Sequence, residues 1–106
     1  STKPGRRFAV LGNMLELGVR SVELHREVVE YAVTSGLDGL VIFSQGPETE
    51  VMLDAANALT YVEVASSPEE AFCVLKNWLR SGDFLLLKAS RKISLERLLP
   101  LLKEYY

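Results

Sequence analysis

The chain has 106 residues, 48% of them hydrophobic, which suits one packed domain and excludes a disordered chain. Twelve Lys and Arg against 14 Asp and Glu give a net charge of −2, without the basic excess of a nucleic-acid-binding domain. A single Cys and a single His exclude an intrachain disulfide and any multi-Cys or multi-His metal site, and no apolar run nears the roughly 18 residues of a membrane span.

Ser1 to Gly5 reads as a linker or an expression remnant, leaving 6–106 as a single domain. No signal-peptide pattern follows, so a cytoplasmic location is expected. Phe8, Ala9, Val10 and Leu11 form a short apolar run without alternation, as a strand buried on both faces does. Gly12 to Gly18 is a loop framed by two glycines. Ser21 is expected to cap a helix, with Glu23 in its first turn. Leu24, Val28, Tyr31 and Ala32 recur there at helical spacing, and Gly36 is a natural stop.

The plan then repeats. Leu40 to Phe43 is a second buried-type strand, and Pro47, Glu48 and Glu50 open a second helix with Val51, Met52, Ala55 and Ala56 as its apolar stripe. Tyr61 to Ala65 is a third strand, in which Glu63 indicates an exposed or edge position. Ser67-Pro68-Glu69-Glu70 combines a cap, a proline at the first helical position and two acids. Ala71, Val74, Leu75, Trp78 and Leu79 make the stripe of that helix, which Gly82 is expected to end, and Cys73 is expected to be buried beside it. Phe84 to Leu87 is the fourth strand. Ser94 is placed to cap a last helix with Leu95, Leu98, Leu99 and Leu102 inward and a kink near Leu99, where Pro100 interrupts the pattern.

Four strand-then-helix units predict an α/β fold: a Rossmann-like three-layer αβα domain on a mainly parallel four-stranded sheet, with strand order 3-2-1-4. That order creates a switch point between strands one and four, where open α/β sheets bind ligands. The loops 12–18 and 88–92 meet there.

The loop opening Gly12, Asn13, Met14 follows a strand as phosphate loops do, but it is neither G-x-G-x-x-G nor a Walker sequence. It reads equally as a plain βα connection. Lys88, Ser90, Arg91 and Lys92 place three cations and a hydroxyl at a strand end, which suits a carboxylate or phosphate, although a solvated basic loop has the same composition. A lone His25 reads as a hydrogen-bonding structural residue. No carboxylate pair is placed for acid–base work, and no catalytic or metal-ligating set is present.

The string Arg7-Phe8-Ala9-Val10-Leu11-Gly12-Asn13-Met14-Leu15-Glu16-Leu17-Gly18, with Glu23-Leu24-His25-Arg26-Glu27-Val28 after it, resembles the C-terminal domain of Mur ligases. That family shows V-L-G-D-M-L-E-L-G, a helix containing H-R-E, and a late strand ending K-G-S-R. Leu86-Leu87-Lys88-Ala89-Ser90-Arg91 stands at the last of these. The resemblance runs from about Gly5 to the C-terminus and is nearest the type that adds D-alanyl-D-alanine to a UDP-N-acetylmuramoyl-tripeptide in peptidoglycan synthesis. A type using another amino acid fits the G-x-M-L-E-L-G string less well.

The resemblance implies a three-domain enzyme using ATP and Mg²⁺. Its partners for this domain are a central ATP-binding domain and an N-terminal UDP-sugar domain, with D-alanyl-D-alanine as substrate and neither nucleic acid nor membrane. ATP activates the peptide carboxylate as an acyl phosphate, the dipeptide amine attacks it, and ADP and phosphate leave. The C-terminal domain closes over the central one. Gly12, Asn13, Met14, Lys88, Ser90 and Arg91 are the implied substrate- or nucleotide-facing residues. Lys88 and Arg91 would face anions, and Ser90 would donate a hydrogen bond. The 106 residues hold no phosphate loop and no Mg²⁺-binding set, so alone they are expected to bind no cofactor and catalyse no ligation. Two departures matter: Asn13 stands where the family has Asp, and Ala89 where it has Gly. They favour an alternative, a non-enzymatic α/β interaction module with a degenerate ligand site.

Overall fold

The computed structural model describes residues 5–12, 20–44 and 46–88. Its elements are β1 (Arg7–Gly12), α1 (Ser21–Thr34), β2 (Gly39–Phe43), α2 (Pro47–Ala55), β3 (Tyr61–Ala65), α3 (Pro68–Trp78) and β4 (Phe84–Lys88). The sheet order is β3-β2-β1-β4, with every neighbouring pair parallel, as the repeat of strand-helix units predicts. The steps from β1 to β2 to β3 run one way across the sheet, and the step from β3 to β4 runs back. Right-handed crossovers therefore put α1 and α2 on one face and α3 on the other.

The strand period of two divides the core accordingly. Phe8, Val10, Val41 and Phe43 pack toward Ala71 and Leu75 of α3. Ala9, Leu11, Leu40 and Ile42 pack toward Val29 of α1 and Met52 of α2. Because β1 and β2 are central and covered on both faces, every residue from 8 to 12 and from 39 to 43 is buried. β3 is an edge strand, and Glu63 is exposed on it.

At the N-terminal edge of the sheet, β1 and β4 are stapled. Arg6 Nη2 donates to Asp83 Oδ2 and to the Trp78 carbonyl, both at 2.8 Å. Its guanidinium lies 5.0 Å from the centre of the Phe8 ring, and that ring packs against Tyr61 and Trp78. The hydrogen bond from Arg6 holds the Asp83 carboxyl below the usual carboxylate range. The staple adjoins the register that pairs Arg7 with Phe84 and Leu11 with Lys88.

Several local expectations are corrected. Ser21 is the first residue of α1, not its cap; Arg20 precedes it without a side-chain cap. The Ser21 hydroxyl instead donates to Glu48 Oε2 of α2 at 2.9 Å, a partner 27 residues away. The residues of α1 buried most deeply are His25 and Val29, and Tyr31 is exposed. Cys73 is exposed because it lies two residues from Ala71, about 200° around a helix whose buried face carries Ala71 and Leu75. α3 ends at Trp78, and Gly82, at φ +94°, belongs to the turn before β4. The expected last helix at Ser94 and the break near Pro100 lie outside the described residues.

Candidate functional site

All four strands are parallel, so their C-terminal ends share one edge. There β1 ends at Gly12, which is buried and pairs with Phe43 of β2. Next to it β4 ends at Lys88, opposite Leu11 in the register. The chain therefore leaves two adjoining strands in the same direction, toward Asn13 and Met14 from one and toward Ser90 and Arg91 from the other. Those four residues lie outside the described ones. Lys88 is exposed and makes no ion pair among the described residues. Its cation is available to an anion arriving at this edge.

The floor beside Gly12 is built from groups that sequence reasoning passed over. α1 and α2 both begin at this edge, so their positive dipole ends face the same side as Lys88. Fully buried His25 donates from Nδ1 to the Ser21 carbonyl at 2.6 Å, one turn back in α1. With the Ser21–Glu48 bond, this fixes the start of α1 against the start of α2. Buried Ser44, just past β2, accepts from Thr49 Oγ1 at 2.9 Å. The signal for His25 was its i, i+4 spacing to Val29, which sets the buried face one residue around from Leu24 and Val28.

Arranged this way, the edge can position an anionic ligand by charge and by backbone donors. Among the described residues no group of three or more His, Cys, Asp or Glu could hold a metal ion. No described helix is long and apolar enough to cross a membrane. A groove of about 680 Å³ runs between α1 and β4 below Lys88, but apolar side chains dominate its walls and it does not suit a carboxylate.

A family model for the glutamate ligase domain of Mur ligases matches residues 1–91. The chain belongs to the Mur ligase family. Over 93 residues this Mur ligase domain is 38% identical to a UDP-N-acetylmuramoyl-tripeptide–D-alanyl-D-alanine ligase of Synechocystis sp., covering 87% of this chain and 20% of that protein. A ligase of the same name from Treponema pallidum is 38% identical over 101 residues, covering 90% of this chain and 21% of its own. The crystal structure of the MurF ligase of Thermotoga maritima in complex with ADP superposes with a TM-score of 0.76 at 35% identity, over 95% of this chain and 22% of that one. This Mur ligase domain thus spans about a fifth of the length of the curated relatives it matches.

Proposed function

We propose that this Mur ligase domain is the closing and substrate-positioning part of an ATP-dependent ligase that adds D-alanyl-D-alanine to a UDP-N-acetylmuramoyl-tripeptide in the cytoplasm. The observation that carries the reading is the adjacency of the β1 and β4 ends, with the exposed Lys88 cation, which has no ion pair among the described residues, at that edge. The relatives bearing that ligase name support the choice of substrate.

In this reading residues 6–106 form one domain that works against a central ATP-binding domain and an N-terminal UDP-sugar domain. ATP with Mg²⁺ supplies the carboxyl activation, and both are held chiefly by the central domain. Gly12 lets the backbone approach the ligand, with Asn13 and Met14 lining the same turn. Lys88 and Arg91 hold the dipeptide carboxylate or phosphate oxygens, and Ser90 donates a hydrogen bond. Holding two reactants in an attack geometry is worth several orders of magnitude in rate without any chemistry from this domain.

The test is phosphate release by the full-length protein that contains this domain, given ATP and UDP-N-acetylmuramoyl-tripeptide. Release that depends on D-alanyl-D-alanine is expected, and the 106-residue chain alone is expected to give none. Absence of dipeptide-dependent release from the full-length protein would favour the interaction-module reading that Asn13 and Ala89 suggest.

A further inference from the structure

Gly12 of β1 and the start of α1 are joined along the chain, and a second route joins them through space. Gly12 pairs with Phe43 at the end of β2. Ser44, the next residue, accepts from Thr49 Oγ1 of α2, and the Thr49 amide donates to the Gly46 carbonyl at 3.1 Å. Glu48, beside Thr49, accepts from the Ser21 hydroxyl at 2.9 Å. These contacts form a bracket: Gly12 to β2, β2 to α2, and α2 back to α1. The charge-assisted Ser21–Glu48 bond closes it. Another polar link between the two helices, Arg26 to Asp54 at 3.0 Å, ends on an exposed carboxylate near the far end of α2. Two local rules give way to this bracket. No side chain caps α1, and the serine at its start gives its hydroxyl to α2 instead of an amide of its own helix. Gly46 has φ +114° and ψ −169°, a conformation that side chains disfavour, where the chain turns from β2 into α2 and toward Glu48.

We propose that Ser21 and Glu48 are positioning residues for ligand binding at this edge: their hydrogen bond sets the spacing between Gly12 and the start of α1. The part played in the reaction rests on the ligase reading, whereas the bracket itself does not. Glu48 acts through Ser21 and touches no reactant. Chain ends that are already fixed lose less freedom when a ligand arrives, so a closed bracket lowers the ordering cost of binding. Opening it weakens binding and spares the chemical step, which this domain does not supply. Ser21→Ala isolates the effect. It removes only the hydroxyl, because His25 Nδ1 donates to the Ser21 backbone carbonyl and keeps that partner. Alanine is also the better helix former, so a serine that merely packed would be replaced without loss.

The test is a cycle of Ser21→Ala, Glu48→Ala and the double variant in the full-length protein, with Glu48→Gln as the rescue because its amide oxygen still accepts from Ser21. KM for D-alanyl-D-alanine or for ATP should rise about 10-fold in each single alanine variant, with kcat within about twofold of the parent. The double variant should be no worse than either single one, since both remove the same bond. Glu48→Gln should return KM to within about threefold of the parent. Amide hydrogen exchange in the same proteins needs no substrate. Exchange at His25 and Arg26, whose amides close the first turn of α1, should quicken in both alanine variants and not in Glu48→Gln, while β1 and β2 keep the parent rate. Unchanged KM values in Ser21→Ala, additive losses in the double variant, or exchange that is unchanged or quickens throughout the domain would overturn the proposal. A parent without dipeptide-dependent phosphate release would refute the ligase reading instead, and exchange alone would then decide whether the bracket holds α1.

Discussion

The side chain of Asp83, the residue before β4, is enclosed with its carboxylate against the Arg6 guanidinium, and that hydrogen bond is the main cause of its lowered pKa. A carboxyl that ionises more easily when folded adds stability above its unfolded pKa of about 3.9, and this is lost as pH falls through the lower folded value. Asp83→Asn should therefore lower the urea midpoint at neutral pH, and the gap from the parent should narrow below about pH 4. A constant gap across that range would show that the pair does not titrate as described. Gly39 gives a second test. A Cβ there would lie 2.6 Å from the Phe8 ring and 2.8 Å from Cβ of Tyr61, closer than side-chain carbons approach. Gly39→Ala should cost about 1–3 kcal/mol in denaturant unfolding, as overpacking does. Local residue chemistry was legible only where the partner was local. Ser67 caps α3 as its neighbours imply, whereas the Ser21 hydroxyl is claimed by Glu48, which no short window contains.

At the scale of elements, the strands were legible because unbroken apolar runs require cover on both faces, and β1 and β2 have it. β4 has the same composition but alternates between exposed and half-buried residues, because it is an edge strand with no helix over its α1 side among the described residues. Periodicity likewise located α1 but not its orientation: Leu24, Val28 and Tyr31 line the groove, while His25 and Val29 take the core. α3 is the best-specified helix. The Ser67 hydroxyl accepts from the Glu70 amide at 3.1 Å, and the Glu70 carboxylate accepts from the Ser66 amide at 2.7 Å. Ser67→Ala should cost about 1 kcal/mol, read as a fall in Tm of about 4–8 °C. An unchanged Tm would mean that packing of Ala71 and Leu75 alone holds the helix start.

At the scale of the molecule, the strand order followed from the chain's repeat and the handedness of crossovers, since few topologies satisfy both. The same order carries the functional account, because it places the end of β1 beside the end of β4. Of the residues expected to face a ligand, Gly12 and Lys88 are seen at that edge, while the roles of Asn13, Met14, Ser90 and Arg91 rest on the turns that leave it. The Ser21–Glu48 bond of the polar floor could not be read from the sequence because it joins two helices, although His25 and Ser21 stand one turn apart in α1. The most direct measurement is the KM of the full-length ligase for D-alanyl-D-alanine and for ATP after Lys88→Ala and Arg91→Ala. Each change removes an exposed or loop cation that the account sets against an anion, so KM for at least one ligand should rise about 10- to 100-fold, the usual effect of losing a charge-assisted hydrogen bond. Unchanged KM values for both ligands in both variants would contradict a clamp at this edge.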